Sequence, residues 1–154
     1  MTFFDYPGTE AETLSSAPAE VFLPEASEAD WAVLLRHCRR RSFGAGEAVM
    51  SPGSHEQSLF LIIDGTLEVQ TSTTGKRDAP DITVGPGSVL GEIAFFGGGG
   101  RSALVRAITP VQVAELDRVE FDALARESPD LSRQILFDLG RILALRLRTA
   151  QGPQ

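Results

Sequence analysis

Cysteine is almost missing from this chain. Cys38 stands alone, so no disulfide can close within one molecule, and its place in the apolar pattern of "DWAVLLRHC" fits a small buried residue better than a reactive thiol. Histidine is equally scarce: His37 and His55 stand apart, and neither meets another His, Cys or acidic residue at metal-ligand spacing. No metal site is expected. Long apolar runs are missing too, none approaching the roughly 20 residues that cross a bilayer. The opening "MTFFDYPGTEAE" has neither the basic start nor the apolar stretch of a secretory signal, so a cytoplasmic protein off the membrane is expected. Positive charge is in deficit, with 14 Lys and Arg against 21 Asp and Glu and a net charge of -7. That balance excludes a nonspecific nucleic-acid surface, which needs clustered cations, so any anion must be caught locally. Catalytic signatures are missing as well. There is no G-x-S-x-G elbow and no H-E-x-x-H, and "GKRD" at Gly75 lacks the second glycine and the hydroxyl of a nucleotide P-loop. The chain is expected not to be an enzyme.

What is there suffices for one domain: 154 residues with 42% apolar content can close a core without covalent staples. Residues 1–26 mix Pro, Ser, Thr and Glu with isolated aromatics, the composition of a loose arm with a few anchors. From residue 27 to 154 the rest reads as a single folded unit. Ser27 with Asp30 makes an approximate capping box, and Trp31, Leu34, Leu35 and Cys38 follow at helical spacing. A helix over 27–41 is predicted, with Arg36, Arg39, Arg40 and Arg41 answering the dipole at its end. Residues 42–117 change texture to short β-branched or aromatic runs broken by turn residues. Predicted strands are Ser42–Phe43, Ala48–Met50, Ser58–Asp64, Thr66–Ser72, Ile82–Val84, Ser88–Leu90, Ala103–Ala107 and Val111–Leu116. Gly44, Gly46, Pro52-Gly53, Asp64-Gly65, Gly75, Pro80 and Gly85-Pro86-Gly87 supply the turns. A helical period returns over 118–149: one helix before Pro129, then a longer one with a stripe of Leu131, Ile135, Leu136, Leu139, Ile142, Leu143 and Leu147. Arg146 interrupts this stripe. Phe137 and Leu145 fall on another face, so the helix has apolar surface left for a second partner. The fold class is α+β, mainly β, in the form of a small barrel or jelly roll flanked by helices.

The stretch "GEIAFFGGGGRSALVRA" carries the chemistry. Arg101 presents a fork of donors suited to two phosphate oxygens, and the Ser102 hydroxyl with free backbone N–H groups can complete a cradle. Glu92 would repel a phosphate at close range but accepts well from a sugar hydroxyl nearby. The glycines between them let the backbone approach a ligand without side-chain obstruction.

These residues resemble the phosphate-binding cassette, here 91–103, of cyclic nucleotide-binding domains. The likeness extends through "GAGEAVMSPGSHEQSLFLIIDGTLEV", "VGPGSVLGE" and "AELDRVEFDALARESPDL", covering about Trp31 to Arg148. The resemblance implies a cyclic nucleotide-binding β-barrel or jelly roll with an N-terminal helix and C-terminal lid helices of the B and C type. It implies that Arg101 and Ser102 hold the exocyclic phosphate with help from the backbone at Gly91 and Ala103, and that Glu92 accepts from the ribose 2'-hydroxyl. Ile93 and Ala94 complete the segment. Arg146 falls where the terminal helix of the family contributes a purine contact, although a long cationic stem at a lid edge also commonly reaches to water. Both readings stand at this point. Gly100 precedes Arg101 where many members have proline, and a loop of glycines loses more entropy on ordering, which lowers affinity.

The expected ligand is a cyclic mononucleotide, cyclic AMP ahead of cyclic GMP, since Ser102 is compatible with either base; no other cofactor is implied. After "RLRTAQGPQ" no helix-turn-helix follows, so DNA binding by this chain is not expected. The output would be a protein partner or a homodimer through the C-terminal helix. The alternatives are an interaction domain that keeps the fold without its ligand, and a piece of a longer receptor.

Overall fold

Ser27 Oγ accepts from the backbone N–H of Asp30 at 3.1 Å while Asp30 Oδ2 accepts from the backbone N–H of Ser27 at 3.3 Å, so the capping box starts helix α1 (Glu28–Arg36). The structure, a computed structural model, describes residues 20–50, 57–70, 82–97 and 104–151. Helix α1 turns Trp31 and Leu34 inward and stops at His37, whose N–H closes on the Leu34 carbonyl. The predicted helix over 27–41 is therefore too long. Arg39, Arg40 and Arg41 belong to strand β1 (Arg39–Phe43), which pairs antiparallel with β8 (Val111–Asp117). Their cationic ends meet acceptors on that neighbour: Arg39 and Arg41 reach Glu115 at 3.1 and 3.0 Å, and Arg40 reaches Gln112 at 3.0 Å. A cross-strand ladder accounts for Arg39, Arg40 and Arg41, whereas Arg36 stands in the last turn of α1, as expected for a residue answering its dipole.

Strands β2 (Ala48–Met50), β3 (Ser58–Asp64), β4 (Leu67–Gln70), β5 (Ile82–Val84), β6 (Val89–Leu90) and β7 (Leu104–Ala107) follow the predicted runs closely. The ends at Ser72 and Ala103, and the turn residues Pro52, Gly53, Gly75 and Pro80, lie outside the described residues. Among the described residues two four-stranded antiparallel sheets result, with orders β1-β8-β3-β6 and β2-β7-β4-β5. Gly65 closes the β3–β4 turn at φ +98°, and a Cβ there would collide with the Pro110 carbonyl and the Val111 side chain. Only glycine fits.

Strand β3 is buried on both faces, which is why "SLFLI" reads as a continuous apolar run. Phe60 and Ile62 face the interior between the sheets, with Phe43, Leu67, Leu90, Val105 and Val113. Leu59 and Leu61 face a second interior, under the helices, with Trp31, Leu34, Phe95, Leu116, Phe121 and Ile135.

Helix α3 (Arg118–Glu127) starts on an Asp117 cap and ends before Pro129, and α4 (Pro129–Gln151) follows. Of the predicted stripe, Leu131, Ile135, Leu139 and Ile142 are buried and Leu143 is partly so. Leu136 and Leu147 are not. They are exposed because the face α4 turns inward is narrower than the apolar arc of its sequence. Phe137 is 78% exposed.

Candidate functional site

Between β6 and β7 the chain makes a left-handed turn at Gly91, φ +90°, and enters the six-residue helix α2 (Glu92–Gly97), a helix where the sequence suggested only a loop. The Gly91 carbonyl accepts from the Phe95 N–H at 2.9 Å, which closes its first turn. Ala94 and Phe95 are buried, Ile93 and Phe96 are exposed. Phe95 lies edge-on to Phe121 of α3 with ring centroids 5.6 Å apart, so α2 and α3 share a packed joint. The approach to this turn is fixed on β3: Gly87 N–H donates to the Ile62 carbonyl at 3.0 Å, and Ile62 N–H to the Ser88 carbonyl at 2.9 Å.

Glu92 is thereby held as a buried carboxylate, 6% exposed. Isolated, such a charge would be costly. Its counter-charge is Arg146 of α4, whose Nη1 donates to Glu92 Oε2 at 2.8 Å. The same guanidinium donates through Nη2 to the Val89 carbonyl at 2.9 Å and through Nε to Glu20 Oε1 at 3.0 Å. Burial works against the charge on Arg146, but the fields and hydrogen bonds of Glu92 and Glu20 outweigh it and raise its pKa above the ordinary arginine value.

Of the residues picked from the sequence, Gly91, Glu92, Ile93 and Ala94 thus occupy one turn and short helix, and Arg146 is brought from the far end of the chain onto Glu92. Its head is turned inward onto protein acceptors and is not extended to water. Arg101, Ser102 and Ala103, with the glycines 98–100, lie outside the described residues. Glu20 was missed. It sits in a stretch whose composition reads as loose arm, and no local pattern pairs it with a residue so distant in sequence.

A second polar cluster lies between α1, β1, β8 and α3. A cavity of about 280 Å³ is lined there by His37, Cys38, Arg39, Glu115 and Glu120 among others, none of them in the cassette. Burial, with the fields of Glu120, Asp117 and Glu115, pushes the Cys38 thiol up to about 12, so the thiolate is absent near neutral pH. Both ring nitrogens of His37 are engaged, by Glu127 at 2.8 Å and Glu120 at 3.1 Å. Glu115, for all its burial, is held below the usual carboxylate range by hydrogen bonds from Ser58, Arg39 and Arg41. Among the described residues no group of three or more His, Cys, Asp or Glu could hold a metal ion, and no helix is long and apolar enough to cross a membrane.

The family model for the cyclic nucleotide-binding domain matches residues 40–128. The cAMP-activated global transcriptional regulator Vfr of Pseudomonas aeruginosa is 32% identical over 119 residues, 75% of this chain and 54% of that protein. Glutaminase 2 of Bradyrhizobium diazoefficiens is 33% identical over 131 residues, 85% of this chain and 20% of that protein. The crystal structure of the Thermus thermophilus catabolite activator protein matches with a TM-score of 0.72 and 26% identity, over 88% of this chain and 60% of that one. The chain spans about half the length of the curated regulator it matches.

Proposed function

We propose that this chain, which belongs to the cyclic nucleotide-binding domain family, is a receptor module that binds a cyclic mononucleotide, cyclic AMP ahead of cyclic GMP, and passes the event on through its C-terminal helices. The observation that carries the reading is the buried Glu92 carboxylate, held at the head of α2 by the left-handed turn at Gly91. A buried acceptor at the start of a glycine-rich segment suits a sugar hydroxyl. Arg101, with the Ser102 hydroxyl and the backbone at Gly91 and Ala103, would take the exocyclic phosphate, and Ile93 and Ala94 complete the segment. The name of the Pseudomonas regulator supports cyclic AMP as the first ligand to test.

The role is one of binding and not of catalysis, on the strength of the inert Cys38 and the doubly engaged His37. Its output would run through α4, where Phe137 and Leu147 are exposed and offer apolar surface to a protein partner or a second copy. The setting would be cytoplasmic. A second reading is an interaction domain that keeps the fold and binds no nucleotide. The contact of Arg146 with Glu92 favours it, because the carboxylate already has a protein partner.

Calorimetric titration of cyclic AMP and cyclic GMP, with Arg101→Ala as control, separates the two. We expect saturable one-to-one binding, weakened by about 1.5–3 kcal/mol in the variant, roughly a tenfold to hundredfold loss. Binding that Arg101→Ala leaves unchanged would refute the cassette assignment. No heat and no thermal stabilisation with either nucleotide would establish the second reading.

A further inference from the structure

One cation, Arg146, stands between two carboxylates, Glu92 from the cassette and Glu20 from the N-terminal arm. The arm is tied down at each of the next three residues. The Val21 carbonyl accepts from Arg141 Nη2 at 2.9 Å, the Phe22 N–H donates to the Gly87 carbonyl at 2.9 Å, and the Leu23 N–H donates to Asp138 Oδ2 at 2.7 Å. Leu23 adopts φ +52°, a left-handed conformation uncommon for a branched residue, and is held there buried in the core under the helices. Segment Glu20–Leu23 therefore bridges α4 and the turn that leads into the cassette.

Arginine is a donor only, and a sugar hydroxyl reaching Glu92 is a donor as well. Both draw on the same carboxylate. Although its second oxygen has lone pairs to spare, the side chain is only 8% exposed with Arg146 on Oε2, so a ligand reaches it only once the guanidinium gives way. Arg146 reaches it with its fork already fixed, Nε on Glu20 and Nη2 on the Val89 carbonyl. We propose that Glu20 is a positioning residue for ligand affinity. It steers Arg146 onto Glu92, a ligand hydroxyl must displace the guanidinium from that carboxylate, and the arm from Glu20 to Leu23 loosens together with the end of α4 when it does. This rests on Glu92 being the sugar acceptor. The arm then belongs to the switch, because it holds the residue with which the ligand competes. Affinity is set by the fraction of molecules in which Glu92 is released.

The test uses the full chain with Arg146→Gln, Glu20→Gln and the double variant, titrated with cyclic AMP and cyclic GMP alongside the unaltered protein. Glutamine keeps most of the bulk and removes the charge. Arg146→Gln is expected to bind about three- to tenfold tighter. Glu20→Gln is expected to give a smaller gain that vanishes in the Arg146→Gln background. Proteolysis without nucleotide should cleave faster within residues 20–26 in both single variants. Binding by Arg146→Gln that is unchanged or weaker overturns the proposal, as does a Glu20→Gln effect that persists in full without Arg146. Tighter binding with unchanged cleavage overturns the part played by the arm. Absence of binding in all four proteins overturns the proposal through its premise; faster cleavage of Arg146→Gln would in that case still identify the ionic clasp, which separates the two failures.

Discussion

The two interiors of this molecule share strand β3 and differ in what seals them. Between the sheets, Phe43, Phe60, Ile62, Leu67, Val105 and Val113 meet through apolar contact. Under the helices the apolar contacts of Leu34, Leu124, Ile135 and Leu139 are supplemented by directed polar ties: Asp138 to the Leu23 amide, Arg141 to the Val21 carbonyl, Arg146 to Glu92. Apolar contact has no direction and a polar ligand cannot exchange it. A charge-assisted hydrogen bond can be exchanged for another of similar strength. On the function proposed above, the sandwich would serve as a fixed frame and the helical layer as the part that a ligand unfastens.

Breaking the frame should have the largest effect. Phe60→Ala removes a fully buried ring from the sandwich and is expected to cost about 3–5 kcal/mol in urea unfolding. A loss under about 1 kcal/mol would show the sandwich to be as yielding as the helical layer, and the contrast would fail.

A smaller effect comes from the tie between α1 and α3. Burial disfavours a charged His37, but its hydrogen bonds to Glu127 and Glu120 more than offset this, so its pKa is raised. The associated stability is fully present below its unfolded value of about 6.5 and is lost as the pH climbs through the higher folded-state value. Urea midpoints across that window should fall with pH by less than the Phe60→Ala loss, and His37→Gln should flatten the trend. A midpoint rising over the same window would contradict the sign.

The smallest effect belongs to the outer face of α4. Phe137→Glu should shift stability within about 0.5 kcal/mol, as exposed substitutions do. A larger loss that grows with protein concentration would reveal Phe137 as covered by a second copy.

The sequence makes the sandwich far more legible than the helical layer. Short β-branched or aromatic runs between turn residues locate β2, β3, β5 and β8 almost to the residue, because each strand reports its own burial locally. The same logic locates Ser27 and the break at Pro129. It fails at Arg39–Arg41, where cations after a helix and cations on a strand look alike until Glu115 is known to lie opposite. It fails at Leu136 and Leu147, because an apolar arc does not say how wide a face its neighbours will cover. Glu92 and Arg146 could be picked out singly, the first by its motif and the second by its intrusion into a stripe. Their contact, and the part of Glu20 in it, is long-range and leaves no local periodicity.

Strand β8 is the latest to emerge from the ribosome and the one its sheet cannot do without. It lies between β1 and β3, pairing Arg39 with Glu115 and Ser58 with Asp117, so until residues 111–117 have been made β1 lacks its sheet neighbour and β3 has only the short β6 to pair with. During that interval the apolar run of β3 is only partly paired. Sheet closure across such separations is slow compared with helix formation. Protection of β3 from self-association during synthesis is therefore a demand this topology places on the cell before any ligand is met.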